Sequence, residues 1–356
     1  MRAFVDNDEV ERVKKNLETT PTISEALGED WINNNIPNKE ERSEKHVMFW
    51  MFLDESKCKK MEDWLSTLKT TLSGAKFLKV VNSLKEKKRE NEFYSFVTEI
   101  EVLSYYKKQE NDSFEVEFEP HIPSKTKVGD IKLSFDSTQV FLEITRLFLS
   151  KEEEETNRII RTISGKIDAI ENNPFVITFG IMESFSEADI EPLVELVHQK
   201  IIEERDTFTG EPFTTDFDEK AWFKFHKKLE NKKGYVGGTI FPVIRVRSAG
   251  RLKNKVLDEV EQLPENQFNV IVLDISHYFA DFDDVEDALA GQSAVKIDLK
   301  TMEATQFRHA NGIMQMDRGR MVGAIIAFKG FDYEHRKKYV NLSAERPFTD
   351  ELISKI

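Results

Sequence analysis

One cysteine, Cys58, serves all 356 residues. It has no partner for an internal disulfide, which removes the disulfide-stapled secreted scaffolds from consideration. Its lysine neighbours point to an incidental surface thiol whose pKa they would depress. Long apolar runs are also missing: none reaches the ~18–20 residues that span a bilayer. The opening Met-Arg-Ala-Phe-Val-Asp-Asn-Asp carries no signal-peptide h-region. A soluble, cytoplasmic protein without membrane partners is expected. Excess positive charge is absent too, since 51 Lys and Arg face 65 Asp and Glu for a net −14. That balance argues against coating nucleic acid without regard to sequence. No GxxxxGK[ST] occurs, and Gly234–Gly238 (GYVGG) precedes a strand pattern rather than linking strand to helix, so phosphate cradling of the P-loop kind is excluded. The seven histidines, His121 among them, show no HExxH or zinc spacing. His121 reads as a surface residue, though it is the histidine nearest Asp130 in sequence.

What the chain does hold is core material: 39% hydrophobic residues, with 27 phenylalanines, rules out a disordered chain. At roughly 150 residues per domain, two domains are expected. Residues 1–88 read as a helical N-terminal region, with Trp64, Leu65, Leu68, Leu72, Phe77, Leu78 and Val81 at helical intervals. A local basic run, Lys57 to Arg89, lies within it. Residues 89–356 read as an α/β domain with a C-terminal extension. Its elements begin with a helix over 92–108 and strands over 114–119, 131–135 and 139–145, then a helix over 152–171 and a buried strand over 175–181. A helix ending near Glu204 is followed by an irregular, aromatic-rich stretch, 207–233, which with Lys220, Lys224, Lys227 and Lys228 suits either stacking on unpaired bases or a covering loop. Strands over 235–246, 268–275 and 321–328, with a helix over 251–263, complete the pattern of a mixed sheet flanked by helices.

Three acids stand where a metal site could use them. Alternation along 139–145 puts Phe141, Glu143 and Thr145 on one strand face and Val140, Leu142 and Ile144 on the other. Glu143 is thus a carboxylate within an apolar strand, costly unless paired or bound to a cation. Asp130 opens the adjacent strand after the polar turn Ser124–Gly129, and neighbouring strands are ~4.8 Å apart, close enough for their acids to share an ion. Glu99, with Glu101 nearby, lies on the preceding helix and could complete an all-oxygen shell suited to Mg²⁺ or Mn²⁺. Each acid also has a plain reading: Glu143 paired with an arginine, Asp130 a turn residue, Glu99 a solvated helix acid. Asp274 precedes the acidic group Asp281, Asp283, Asp284, Glu286 and Asp287, which reads as a solvated loop and helix N-terminus before it reads as a second cation site.

The order of acid-bearing helix, strand, Asp, hairpin and Glu-bearing strand resembles the PD-(D/E)xK nuclease superfamily. The matching residues are Phe96-Val-Thr-Glu99, Val128-Gly129-Asp130-Ile131 and Phe141-Leu-Glu143-Ile-Thr145, and the resemblance covers about 91–182. It implies a restriction-endonuclease-like mixed-sheet fold, metal ligands Glu99, Asp130 and Glu143, and hydrolysis of DNA or RNA phosphodiesters. Gly129 replaces the usual proline, and Thr145 stands where the motif has a lysine that orients or activates water. A hydroxyl cannot supply that ammonium. Lys132, on the strand face of Asp130, is the nearest substitute, ahead of Arg146 and Lys166. Asp130, Glu143, Lys132 and Thr145 are therefore the expected catalytic set, with the basic run 57–89 guiding substrate. The alternative is a nuclease-fold scaffold without catalysis that binds nucleic acid or a protein partner, and a homodimer is left open.

Overall fold

A computed structural model describes residues 7–37, 46–122, 128–148, 151–171, 173–182, 184–207, 210–227, 236–240, 245–276, 280–297 and 304–356. Helices come first: α1 (Asn7–Glu18), α2 (Pro21–Leu27), α3 (Glu29–Asn35), α4 (Met48–Phe52), α5 (Glu55–Thr71), α6 (Gly74–Glu86) and α7 (Glu90–Lys107). Strands β1 (Phe114–Phe118), β2 (Ile131–Phe135) and β3 (Thr138–Arg146) follow, then α8 (Lys151–Asp168), β4 (Phe175–Ile181), α9 (Ile190–Glu204), β5 (Phe213–Phe217), β6 (Ala221–Lys227) and β7 (Val236–Ile240). The remainder is α10 (Arg245–Val260), β8 (Phe268–Asp274), α11 (Phe282–Ala290), the hairpin strands β9 (Ser293–Ile297) and β10 (Ala304–Arg308), β11 (Ala324–Phe328), β12 (Lys337–Val340) and α12 (Asp350–Lys355).

The chain divides into two compact units, Met1–Phe148 with Arg247–Ile356, and Leu149–Val246. The division between these units falls at 148/149 and 246/247. The N-terminal helices and the sheet share one hydrophobic cluster, in which Met61, Leu65 and Leu68 of α5 join Phe93, Val97, Ile100 and Tyr106 of α7 and Ile131, Leu142 and Val270 of the strands. Each such side chain removed from water contributes about 1.5–3 kcal/mol, so separating the helices from the sheet would expose the core of both. Asp54 starts α5 by accepting from Ser56 N at 3.0 Å and Lys57 N at 3.2 Å, the N-cap geometry its type favours. Cys58 is not a surface thiol: it is 1% exposed, and burial raises its pKa above the usual range instead of the lysines lowering it.

The first unit contains a six-stranded sheet of order β1-β2-β3-β8-β11-β12. Strands β1, β2 and β3 run antiparallel, β3, β8 and β11 parallel, and β12 antiparallel at the edge. Phe135 pairs with Thr138, so the β2–β3 connection is only Asp136-Ser137, and Asp136 takes a φ of 51°, the left-handed turn geometry that Asp tolerates. Alternation sorts the two faces. Leu142, Ile144, Val270, Val272 and Ile326 pack with α7, whereas Ile271, Leu273, Ile325 and Ala327 pack with Leu252, Val256 and Val260 of α10 and Leu289 of α11. The sheet is thus flanked by helices, as expected.

The second unit has its own sheet, β5-β6-β4-β7, with Phe175, Ile177, Phe179, Phe223 and Phe225 packed under Ile163 of α8 and Leu193 and Val197 of α9. This corrects two expectations. The helix 151–168 and strand 175–181 do not continue the sheet of β1–β3; α10 and β8 do, and β8 pairs parallel to β3. The aromatic stretch is not irregular, because Phe213 and Phe217 alternate in β5 and Ala221, Phe223 and Phe225 in β6. Phe223 and Phe225 are core rings, 0% exposed, and cannot stack on bases, whereas Phe213, Phe217 and Trp222 are half-buried. Of the strand expected over 235–246, Val236–Ile240 is strand and 245–246 opens α10; Tyr235 and 241–244 lie outside the described residues, as do most of the turn 124–129 and Lys228. Among the described residues no helix is long and apolar enough to cross a membrane.

Candidate functional site

The register of the antiparallel strands decides where the acids meet. Ile131 pairs with Phe118 and with Leu142, so Glu119, Asp130 and Glu143 each lie one residue beyond a paired position, at the point where the ladders end. On the β1 side, Glu119 N donates to Asp130 O at 2.9 Å. Beyond the end of β2 the Ile144 N–H of β3 loses its strand partner, and the Asp130 carboxylate takes it at 2.7 Å. Asp130 is therefore more than a turn residue: its side chain closes the ladder at the point where the two strands part.

Electrostatics mark the same point. Asp130 has its pKa raised to about 7, chiefly by burial, against the opposing effect of the Ile144 N–H and with added repulsion from Glu259 and Glu119. Glu99 lies on α7, which packs on the sheet face opposite to Glu143, and it is raised well above the carboxylate range by burial and then by Asp130, with Lys87 pulling the other way. Glu143 is buried, at 7% exposure. Among the described residues no three His, Cys, Asp or Glu side chains are disposed around one ion. The donor chemistry nonetheless suits a hard divalent cation, because each of these acids offers oxygen and burial makes their like charge costly.

Two participants came from outside the motif. The Thr145 hydroxyl donates to Glu259 Oε1 at 2.9 Å, and Glu259 pairs with Lys255 Nζ at 2.6 Å. Both residues ride on α10 one turn apart, over the sheet face that carries Glu143 and Thr145. Glu259, 6% exposed, thus adds an acid beside Asp130, and Lys255 brings an ammonium toward the place where the motif lysine would stand. No local signal distinguished them in the sequence, since a Lys and a Glu four apart on an amphipathic helix is an ordinary solvated pair.

The other basic substitutes are engaged elsewhere. Lys132 shares the face of Asp130 as alternation required, but its ammonium pairs across the ladder with Glu117. Arg146 pairs with Asp274 at 3.0 Å. Lys166 belongs to the second unit and pairs with Glu191 at 2.7 Å. Much of the basic run is committed as well: Lys59 to Glu55, Lys69 to Glu25, Lys79 to Glu119, and Lys60 to the Phe331 carbonyl. Asp274 is no solvated loop acid, being 0% exposed, whereas Asp281 does cap α11 through Asp283 N and Asp284 N. His121 is exposed. Comparison with protein-family models, with curated proteins and with solved structures finds no match for this chain. The site consequently rests on its own residues.

Proposed function

We propose that this chain is a divalent-cation-dependent phosphodiesterase acting on nucleic acid, with Glu99, Asp130 and Glu143 as the ligands of Mg²⁺ or Mn²⁺. The observation that carries the reading is the Asp130 carboxylate fixed at 2.7 Å from Ile144 N, one register step from Glu143 on the neighbouring strand. The ladders fix the backbones that carry Asp130 and Glu143, and the side chains, Glu99 from α7 included, would have to turn toward a common ion to bind it. When bound, the cation would polarise a phosphate oxygen and lower the pKa of a water. Glu259 is a positioning residue that orients Thr145 and Lys255. The Lys255 ammonium, paired with Glu259 beside the Thr145 hydroxyl, is the basic group assigned to a phosphate, in the role expected of Lys132. Asp130 and Glu99 stay poorly solvated, and their mutual repulsion favours capture of a cation between them.

The test is cleavage of labelled single- and double-stranded DNA and RNA with Mg²⁺ or Mn²⁺, comparing the natural protein with Asp130→Ala, Glu143→Ala and Lys255→Ala. Loss to background in the first two, and a fall of about 10²–10³-fold in the third, is the expected result. Cleavage that persists in Asp130→Ala after repurification would reject the proposal. The engagement of Lys132 by Glu117 and of Thr145 by Glu259 favours one second reading, a nuclease-like scaffold that binds without cutting. Saturable Mn²⁺ binding that Asp130→Ala abolishes, with no cleavage of any of the four substrates, selects it.

A further inference from the structure

A cleft opens on the first unit where α5, α7 and the segment 331–334 meet. It has a volume of about 130 Å³ and is lined by Trp64, Glu101, Ser104, Tyr105, Phe331 and Tyr333, with Asp63, Asp332 and Glu334 among its charged groups. At roughly 30 Å³ per water, it has room for about four waters or one small polar head group. Two polar atoms in its wall have no hydrogen-bond partner, Glu101 Oε2 and Ser104 Oγ. Their residues are 4% and 0% exposed. An orphaned oxygen at that depth costs about 1–3 kcal/mol, more if charged, so the pair is unusual unless something fills the cleft.

The occupant must bring donors and suit aromatic walls. Glu101 Oε1 is already used, accepting from Tyr333 N at 3.0 Å, which leaves Oε2 open to a donor. Trp64 and Phe331 lie 5.8 Å apart, and Tyr105 and Tyr333 5.1 Å. These rings attract cations in this fold: the Arg336 guanidinium stacks 4.4 Å from the Tyr105 ring and 4.7 Å from that of Tyr333. The lysines at the cleft do not supply the missing donor, because Lys60 Nζ donates to Phe331 O at 2.5 Å and Lys108 Nζ pairs with Asp63 at 2.5 Å. Phe331 itself sits at φ 60°, a left-handed backbone that a bulky residue adopts only when its surroundings enforce it.

We infer that this cleft binds a small organic cation of the guanidinium or alkylammonium class, with Glu101 and Ser104 taking its N–H groups and Trp64 and Phe331 flanking its face. A carboxylate at the end of an aromatic slot is the arrangement that recognises such heads. The site does not depend on the acids of β2 and β3, so it stands or falls apart from the nuclease reading.

The experiment is calorimetric titration of the full chain at pH 9 with methylguanidinium, in EDTA, beside the neutral isostere methylurea and the peptide-like N-acetyl-arginine amide. At that pH Glu101 is ionised, although burial raises its pKa to about 8. Saturable binding of methylguanidinium without measurable binding of methylurea is expected. Glu101→Gln, which keeps the acceptor for Tyr333 N, should weaken binding roughly tenfold or more, and Asp130→Ala should leave it unchanged. Binding of N-acetyl-arginine amide at equal or better affinity identifies a peptide side chain as the source, and its exclusion identifies a free small molecule. Should Glu101→Gln fail to fold by circular dichroism, Ser104→Ala and Phe331→Leu decide, each expected to weaken binding severalfold. No saturation by methylguanidinium, equal binding of methylurea, or unchanged affinity in the folded variants overturns the proposal.

Discussion

In EDTA, raising the pH from 5 to 9 lowers the unfolding free energy of the first unit by on the order of 5 kcal/mol, and Mn²⁺ restores part of the loss. The cause is a set of buried acids that the fold keeps protonated. Asp130 moves from 3.8 to about 7 and Glu101 from 4.5 to about 8, both chiefly through burial, and Glu99 moves in the same direction. A group whose pKa is higher in the folded than in the unfolded chain stabilises fully below the unfolded pKa and loses that contribution as pH rises through the folded one. The loss therefore begins near pH 4 and is complete above about pH 8. At 1.36 kcal/mol per pKa unit, Asp130 and Glu101 each account for on the order of 4–5 kcal/mol across the whole window. His46 opposes them: burial lowers its pKa from 6.5 to about 4, so its contribution is lost as pH falls below 6.5. One opposing group against three leaves the net slope downward throughout. Since domains are stable by only about 5–15 kcal/mol, urea midpoints should fall visibly at each pH step. A cation bound only to the folded chain adds about 2.7 kcal/mol at one hundred times its Kd. Asp130→Asn should remove both its share of the pH slope and the Mn²⁺ response, whereas Glu101→Gln should remove its share of the slope and leave the response. Stability that is flat or rising from pH 5 to 9 contradicts the burial of these acids as charged groups held neutral.

The split between what could be read and what could not follows the range of the interactions. Alternation is local, so Phe141, Glu143 and Thr145 against Leu142 and Ile144 located β3 and its two faces. The short polar loop after Phe135 made β2 its antiparallel neighbour. Which strand completes the sheet on the other side of β3 was not legible. Phe175–Ile181 and Phe268–Asp274 are both continuous apolar runs of a strand buried on two faces, and only the second pairs with β3. The nearer one in sequence was the natural choice, and it belongs to the second unit. The same cause hid Glu259, which lies 114 residues from the Thr145 hydroxyl it accepts. Charge was misread for a different reason. The lysines of 57–89 form a basic run in sequence, yet helices bring Glu25, Glu55 and Glu119 against them. Burial likewise reversed Cys58, whose neighbours in the chain are lysines and whose neighbour in the fold is the Thr20 hydroxyl at 3.7 Å.

Arg146→Ala is expected to cost 3–5 kcal/mol of stability while leaving cleavage per folded molecule intact. Arg146 and Asp274 are register partners at the ends of β3 and β8, and their charges meet at 3.0 Å, by distance rather than as an aligned hydrogen bond. Asp274 is 0% exposed and takes further donors from Thr98 Oγ1 at 3.1 Å and Ser276 N at 2.9 Å. Neither of these carries charge, so without the guanidinium a buried carboxylate is left uncompensated, the situation that costs about 3–5 kcal/mol. The stem and head of Arg146 also lie 5.0 Å over Tyr94 and 5.7 Å over Phe331, and that packing goes with the charge. At about 2–4 °C per kcal/mol for a unit of this size, the melting temperature should drop by roughly 10 °C. Removing both charges, as in Arg146→Met with Asp274→Asn, should recover most of the loss, because the penalty belongs to the unpaired ion and not to the absence of the pair. Cleavage assayed well below the melting point discriminates the two roles open to this arginine. If Arg146 were the missing basic group beside Glu143, activity would fall with stability preserved in the double variant. If it is the counter-ion of Asp274, activity survives wherever the fold does, and the basic role stays with Lys255.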